Sequence, residues 1–119
     1  SRLMLSIKSL VASSVAMPTL IFDEIDSGIS GEAARQVGIL MKELGEAHQV
    51  ISITHQPQIA ARADTHFYVF KKELNKKIHT QIKKLDPQER IEAIAKMMGG
   101  EKPSALVIEN AREMVMNGY

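Results

Sequence analysis

The sequence predicts an α/β fold with a parallel βαβ core, followed by an antiparallel hairpin and two C-terminal helices. An apolar run at 19–23 and a β-branched run at 49–54 are typical of strands, and an amphipathic stretch lies between them. A strand, a helix and a strand joined by short connections form a βαβ unit, whose two strands run parallel. The length of 119 residues is enough for one modest domain.

The composition is that of an ordinary globular protein. The chain is 45% hydrophobic and 24% charged with a net charge of +1, so no global field favours nucleic acid or a membrane. The absence of cysteine excludes disulfides and thiolate metal sites and is compatible with a reducing cytosol. Aromatic residues make up only 4% of the chain and include no Trp, which argues against a base-stacking platform.

The first half of the chain supplies the βαβ unit. Apolar residues at helical spacing predict an amphipathic helix over 2–15, and the chain begins inside this pattern without Met, so we expect it to be part of a longer protein. The apolar run 19–23 predicts a buried strand. Ser30 is placed to cap the next helix, which ends near Gly45. The strand at 49–54 completes the unit.

The second half supplies the hairpin and two helices. A short helix is predicted over 58–62, and strands over 65–72 and 77–85 are joined by a turn at Asn75-Lys76. Asp86 and Glu89 predict a capping box at the start of the first helix. That helix is expected to bury Ile91, Ile94, Ala95 and Met98. The last helix is predicted to start near Pro103 and to bury Val107, Ala111, Met114 and Val115.

Two adjacent carboxylates, Asp23 and Glu24, end the first strand. Ligands of open α/β sheets bind at this edge, and a buried charge is costly unless it is paired or holds a metal. Asp26 adds a third acid, and such a cluster repels itself unless a cation is near. His55 follows the second strand, and parallel neighbours end on the same side, so we expect it to lie near Glu24. The pattern favours nucleotide hydrolysis over a solvated strand end with capping and turn residues.

The hairpin carries three pairs of lysines. Their simplest interpretation is a charged edge that resists strand pairing, and contact with a phosphate backbone is the alternative. The pairs are Lys71-Lys72, Lys76-Lys77 and Lys83-Lys84.

Two stretches resemble the C-terminal head segment of the RecN family of DNA double-strand-break repair ATPases, which are related to SMC proteins and ABC ATPases. They are TLIFDEIDSGISGEAARQVGILMKEL, beginning at Thr19, and QVISITHQPQIAARADTHFYVFK, beginning at Gln49. The resemblance implies that 1–119 is a C-terminal fragment of one ABC/SMC-type ATPase head. It also implies that 19–23 is the Walker B strand.

The resemblance implies a role for each candidate residue. Asp23 corresponds to the carboxylate on the Mg²⁺ side, Glu24 to the catalytic glutamate, and His55 to the switch histidine that senses the γ-phosphate of ATP. Three residues correspond to the D-loop at the nucleotide and dimer interface, and they are Ser27, Gly28 and Ser30. Many related ATPases carry Asp at the position of Ser30.

The resemblance also implies what the rest of such a head supplies. The chain contains neither a phosphate loop (Walker A) nor the signature motif, so we expect it to bind ATP and Mg²⁺ weakly or not at all and to be inactive in isolation. The implied partners are the N-terminal half of the same head, a second head in a homodimer, and DNA through the whole protein. The implied location is the cytoplasm, at the nucleoid, without a membrane. We also expect the isolated chain to self-associate.

Two other functions remain open at this point. One is a Mg²⁺-dependent nuclease or Toprim-like phosphotransfer domain, which would need a further acid at a separate strand end. The other is a non-catalytic dimerisation module.

Overall fold

The computed structural model describes residues 6–9 and 17–117. Residues 6–9 are helical, and the rest of the predicted helix over 2–15 lies outside the described residues. The elements that follow are β1 (Thr19–Asp23), α1 (Gly31–Leu44), β2 (Gln49–Ile53), α2 (Pro57–Ala60), β3 (Phe67–Leu74), β4 (Lys77–Lys84), α3 (Pro87–Gly99) and α4 (Ala105–Asn117).

Strands β1 and β2 form a two-stranded parallel sheet, as predicted. Thr19 pairs with Gln49 at one end and Asp23 with Ile53 at the other. Alternation along β1 buries Leu20 and Phe22 and leaves Ile21 65% exposed. The expectation of a fully buried strand is therefore wrong for this structure, because the core covers one face of the sheet and no described residue covers the other.

The covered face of the sheet packs against α1. Val37, Met41 and Leu44 of this helix form one apolar cluster with Leu20 and Phe22. Helix α2 joins the same cluster and lies very close to α1. A Cβ added at Gly38 would stand 2.8 Å from the carbonyl oxygen of Gln58, so only glycine permits this approach.

A second apolar cluster joins α2 to the two C-terminal helices. Ala60 and Ala61 pack there with Ile91, Ile94 and Ala111. The predicted burial of Met98 is wrong, because this side chain is 36% exposed. The start of α4 is two residues later than predicted. Of the apolar residues predicted to be buried in α4, only Ala111 is fully buried, since α3 covers one side of that helix.

The hairpin of β3 and β4 is antiparallel, as predicted. Asn75 and Lys76 have φ of 51° and 63°, the left-handed pair of a type I′ turn. This two-residue turn lets Leu74 pair with Lys77, so β3 begins and ends two residues later than predicted. Among the described residues no helix packs extensively against the hairpin, which stands apart from the two clusters.

The start of α3 is fixed by the predicted capping box. The backbone N–H of Glu89 donates to Asp86 Oδ1 at 2.7 Å, and the backbone N–H of Asp86 donates to Glu89 Oε1 at 3.2 Å. Arg90 anchors the same turn by donating from Nη2 to the carbonyl oxygen of Ala63 at 2.7 Å. No helix in the described part of the chain is both long and apolar enough to span a bilayer.

Candidate functional site

Asp23 and Glu24 lie at the carboxyl edge of the parallel sheet, where the sequence places them, but both are exposed. The expected burial of this pair is therefore wrong, because the strand that carries it is covered on one face. Glu24 has a φ of 50°, which costs a non-glycine residue about 1–3 kcal/mol and turns the chain sharply at the strand end. Its backbone N–H donates to the carbonyl oxygen of Ile53 at 2.9 Å, which ties it to the end of β2.

Asp26 is the acid that the structure buries. Only 1% of its surface is exposed, and its Oδ2 accepts a hydrogen bond from the hydroxyl of Thr54. Its Oδ1 has no hydrogen-bond partner among the described residues. The three acids therefore do not share one cation site. Asp26 points inward, away from the exposed pair, and the described residues contain no group of three acidic or histidine side chains placed to hold a metal.

The loop after β1 and the loop after β2 are joined at three points. The first is the Glu24 to Ile53 bond, and the second is the Asp26 to Thr54 bond. In the third, Gln56 donates from Nε2 to the carbonyl oxygen of Ile29 at 2.6 Å. The backbone N–H of Gln56 also donates to the hydroxyl oxygen of Thr54 at 3.0 Å, which fixes the turn into α2. We call residues 23–30 and 53–56, which include the last residue of each strand, the paired loops.

His55 lies within the paired loops and is exposed. It comes two residues after Ile53, whose carbonyl oxygen bonds to Glu24. The structure thus brings His55 and the Asp23–Glu24 pair to one edge of the sheet. In the described part of the chain none of these three side chains takes part in a hydrogen bond or ion pair, so all three are free to meet a ligand.

The three D-loop residues lie on the outer side of the first paired loop, and all are exposed. Gly28 has a φ of 83°, a conformation that favours glycine. Ser30 occupies the N-cap position of α1 with extended backbone, but its side chain makes no capping hydrogen bond. Ser30 therefore occupies the predicted cap position without making the capping hydrogen bond. Its hydroxyl remains available to a partner, as that of Ser27 does.

Sequence reasoning missed the roles of Thr54 and Gln56, and it gave the wrong reason for Asp26. A third acid close to an exposed pair did signal that Asp26 needed a partner. The partner is a hydroxyl from the neighbouring loop instead of a cation. A threonine and a glutamine flanking a candidate histidine carried no comparable signal, because both residue types are common in turns.

The bond between Asp26 and Thr54 should contribute measurably to stability. We expect Asp26→Ala and Thr54→Val each to lower the free energy of unfolding by about 1–3 kcal/mol, because each leaves a buried polar group without its partner. The double variant should lose less than the sum, which urea denaturation of all four proteins measures. Thr19→Val is the matched control, since the hydroxyl of Thr19 donates to Gln49 at an exposed site. If the losses in unfolding free energy of the two single variants simply add in the double variant, Asp26 and Thr54 are not coupled.

Comparisons with known proteins bear on this site. No protein-family model matches the chain. The chain is 36% identical over 115 residues to the DNA repair protein RecN of Halalkalibacterium halodurans, covering 97% of this chain and 20% of the relative. It is 42% identical over 115 residues to RecN of Haemophilus influenzae and 40% identical over 116 residues to RecN of Vibrio cholerae. The chain thus spans about a fifth of the length of these relatives, and the resemblance to RecN is confirmed.

The fold has a counterpart among solved structures. A chain from a structural study of ATP-driven dimerization and DNA-stimulated activation of SMC ATPases superposes with a TM-score of 0.62 at 18% identity. The match covers 83% of this chain and 59% of that chain. At this identity the likeness speaks for the fold alone. The predicted fold class, a mixed α/β structure with a parallel pair of strands, an antiparallel hairpin and two C-terminal helices, is confirmed.

Proposed function

We propose that this chain, which is homologous to a C-terminal part of RecN proteins, forms the C-terminal lobe of an ATP-hydrolysing head in a DNA repair and recombination protein. The observation that carries the proposal is the paired loops, which hold two free carboxylates and a free histidine at one edge of a parallel sheet. The parts of that site lie at the ends of two separate strands, and three hydrogen bonds join the two segments.

Each residue has a role that its position supports. Asp23 is an exposed oxygen donor without a protein partner, which suits a hard cation, and it would hold the Mg²⁺ of Mg-ATP. That ion would neutralise phosphate charge. Glu24, turned away by its left-handed backbone, orients and polarises the attacking water. His55 donates a hydrogen bond to the γ-phosphate, and Ser27, Gly28 and Ser30 meet the nucleotide or a second head.

The sheet also shows where the rest of the head would fit. Strand β2 pairs with β1 on one edge, and its other edge has no strand partner among the described residues. A groove of about 1280 Å³ lies beside β2, and Val69 and Ile82 of the hairpin border it. We propose that the N-terminal half of the same head, which would carry the phosphate loop, occupies this groove. Two such heads would form the homodimer that closes on ATP, in the cytoplasm and at the nucleoid.

Binding of Mg-ATP tests the proposal. We expect the chain alone to give no saturable heat in calorimetry, because a head without a phosphate loop lacks the backbone cradle for the β- and γ-phosphates. The same chain produced together with the preceding part of Haemophilus influenzae RecN should bind Mg-ATP, and that part alone is the control. Tight binding of Mg-ATP by the chain in isolation would contradict the proposal.

A further inference from the structure

His55 has no side-chain anchor of its own, so its neighbours in the chain determine where its ring stands. The imidazole is exposed and makes no hydrogen bond or ion pair with any residue that the structure describes. It borders the groove beside β2, where we place the preceding half of the head. A hydrogen bond from His55 to a γ-phosphate would therefore depend on how the backbone on either side of it is held.

The residue before His55 is fixed by a buried carboxylate. The hydroxyl of Thr54 donates to Oδ2 of Asp26, and only 1% of the surface of Asp26 is exposed. The oxygen of the same hydroxyl accepts a hydrogen bond from the backbone N–H of Gln56 at 3.0 Å. A hydroxyl that bonds the backbone two residues on closes a tight turn. The turn that carries His55 is thus anchored from its N-terminal side.

The residue after His55 is held through both its backbone and its side chain. The backbone N–H of Gln56 bonds to Thr54, and its carbonyl oxygen accepts from two backbone N–H groups of α2, at 3.1 and 3.0 Å. The side chain donates from Nε2 to the carbonyl oxygen of Ile29 at 2.6 Å. Pro57 follows and restricts Gln56 to extended backbone, here with φ of −89° and ψ of 119°.

The side chain of Gln56 serves no local purpose in its own helix. Gln56 is the N-cap residue of α2, a position whose side chain commonly bonds the first turn, but it makes no such bond. It reaches instead to the other paired loop, 27 positions away in sequence. The acceptor residue is itself held, because the backbone N–H of Ile29 donates to the carbonyl oxygen of Asp26 at 3.2 Å and its side chain packs against the apolar cluster under the sheet.

We propose that Gln56 is a positioning residue for His55, and that its side-chain bond to Ile29 holds the imidazole where it can donate to the γ-phosphate. The inference rests on the proposed ATP hydrolysis and assigns Gln56 a role separate from those of the two carboxylates. Hydrogen bonds form only within a narrow range of distance and angle, and a misplacement of about 1 Å can cost about 100-fold in rate. Without the bond from Gln56, the segment would keep side-chain anchoring only on the N-terminal side of His55.

The test is ATP hydrolysis by a RecN protein of Haemophilus influenzae in which this chain replaces the matching C-terminal part. We expect Gln56→Leu to lower the single-turnover rate of ATP cleavage about 10-fold, because the donor is lost while the size of the side chain is kept. The nearly isosteric Gln56→Glu loses the same donor and should show a similar loss. Gln36→Leu is the matched control and should retain the rate, since Gln36 donates to Glu32 at 2.7 Å on the exposed side of α1.

The deciding measurement is the same substitution in a head that already lacks the imidazole. When His55→Ala is present, Gln56→Leu should lower the remaining rate by less than about twofold, because a residue that acts through His55 then has nothing left to position. Single turnovers of radiolabelled ATP, followed for hours, resolve such slow rates. Equal losses with and without His55 would make Gln56 merely structural and would overturn the proposal, as would an unchanged rate in both Gln56 variants.

Failure of this inference can be told apart from failure of the proposed function. An unaltered head that hydrolyses ATP, and that Glu24→Gln inactivates, sustains the proposed function whatever the Gln56 variants do. An unaltered head that hydrolyses no ATP refutes the proposed function, and the positioning role of Gln56 with it.

Discussion

Replacing Glu24 by Gln will lower ATP turnover by about 100-fold or more in a head that contains this chain, while ATP binding is retained. General-base assistance to an attacking water contributes on the order of 10²–10⁴ in rate, and glutamine cannot accept the proton. The amide keeps the size and shape of the carboxylate. The left-handed backbone at Glu24 and its bond to Ile53 involve no side-chain atom, so the loop geometry is expected to persist.

The measurement needs an assembled head. A RecN protein of Haemophilus influenzae in which this chain replaces the matching C-terminal part provides one, and phosphate release and nucleotide binding are followed in parallel. Glu43→Gln is the matched control, since it neutralises another exposed carboxylate on α1 and should leave turnover unchanged. If Glu24→Gln leaves turnover intact, Glu24 is not the base. Loss of Mg²⁺-dependent DNA cleavage instead would favour the nuclease, and no change of any kind would favour a dimerisation module.

The isolated chain should self-associate, and Ile51→Lys together with Ile53→Lys should make it monomeric. These two side chains are 43% and 50% exposed on the open face of β2, next to an edge without a strand partner in the described structure. Unpaired edges that carry apolar residues recruit other strands, and lysine on such an edge opposes pairing. In the assembled head the same surface would be covered, so the tendency belongs to the isolated chain.

Light scattering during size-exclusion chromatography measures the effect. We expect the unaltered chain at high concentration to show a mass of a dimer or larger, and the double variant to show the monomer mass of 13.2 kDa. Leu106→Lys is the control, because Leu106 is also highly exposed, at 71%, but lies on helix α4 and not on a strand. A monomer before any substitution would refute the prediction, and dissociation by Leu106→Lys alone would locate the contact elsewhere.

The parallel pair and the hairpin could be predicted because their signals are local. β-Branched residues in Gln49–Ile53 and a two-residue turn at Asn75-Lys76 each specify their own backbone. The inward orientation of the Asp26 side chain could not be predicted from such local signals. It follows the left-handed turn at Glu24, a conformation that glutamate seldom adopts. No pattern of apolar residues predicts such a turn.

Burial was harder to predict than the positions of the elements. The apolar run of β1 is typical of a strand covered on both faces, yet Ile21 is mostly exposed because the described chain supplies one covering layer. The Asp23–Glu24 pair was predicted at the right edge with the wrong exposure for the same reason.

The three bonds between the paired loops have a mechanical consequence. A ligand that pulls on His55 also pulls, through Gln56 and Thr54, on Ile29 and Asp26. Because those residues bracket Ser27 and Gly28, a shift of the segment that carries His55 would be coupled to the segment that we propose faces a second head. In the proposed head, a structural change at the nucleotide would thus be transmitted to the neighbouring subunit through these few hydrogen bonds.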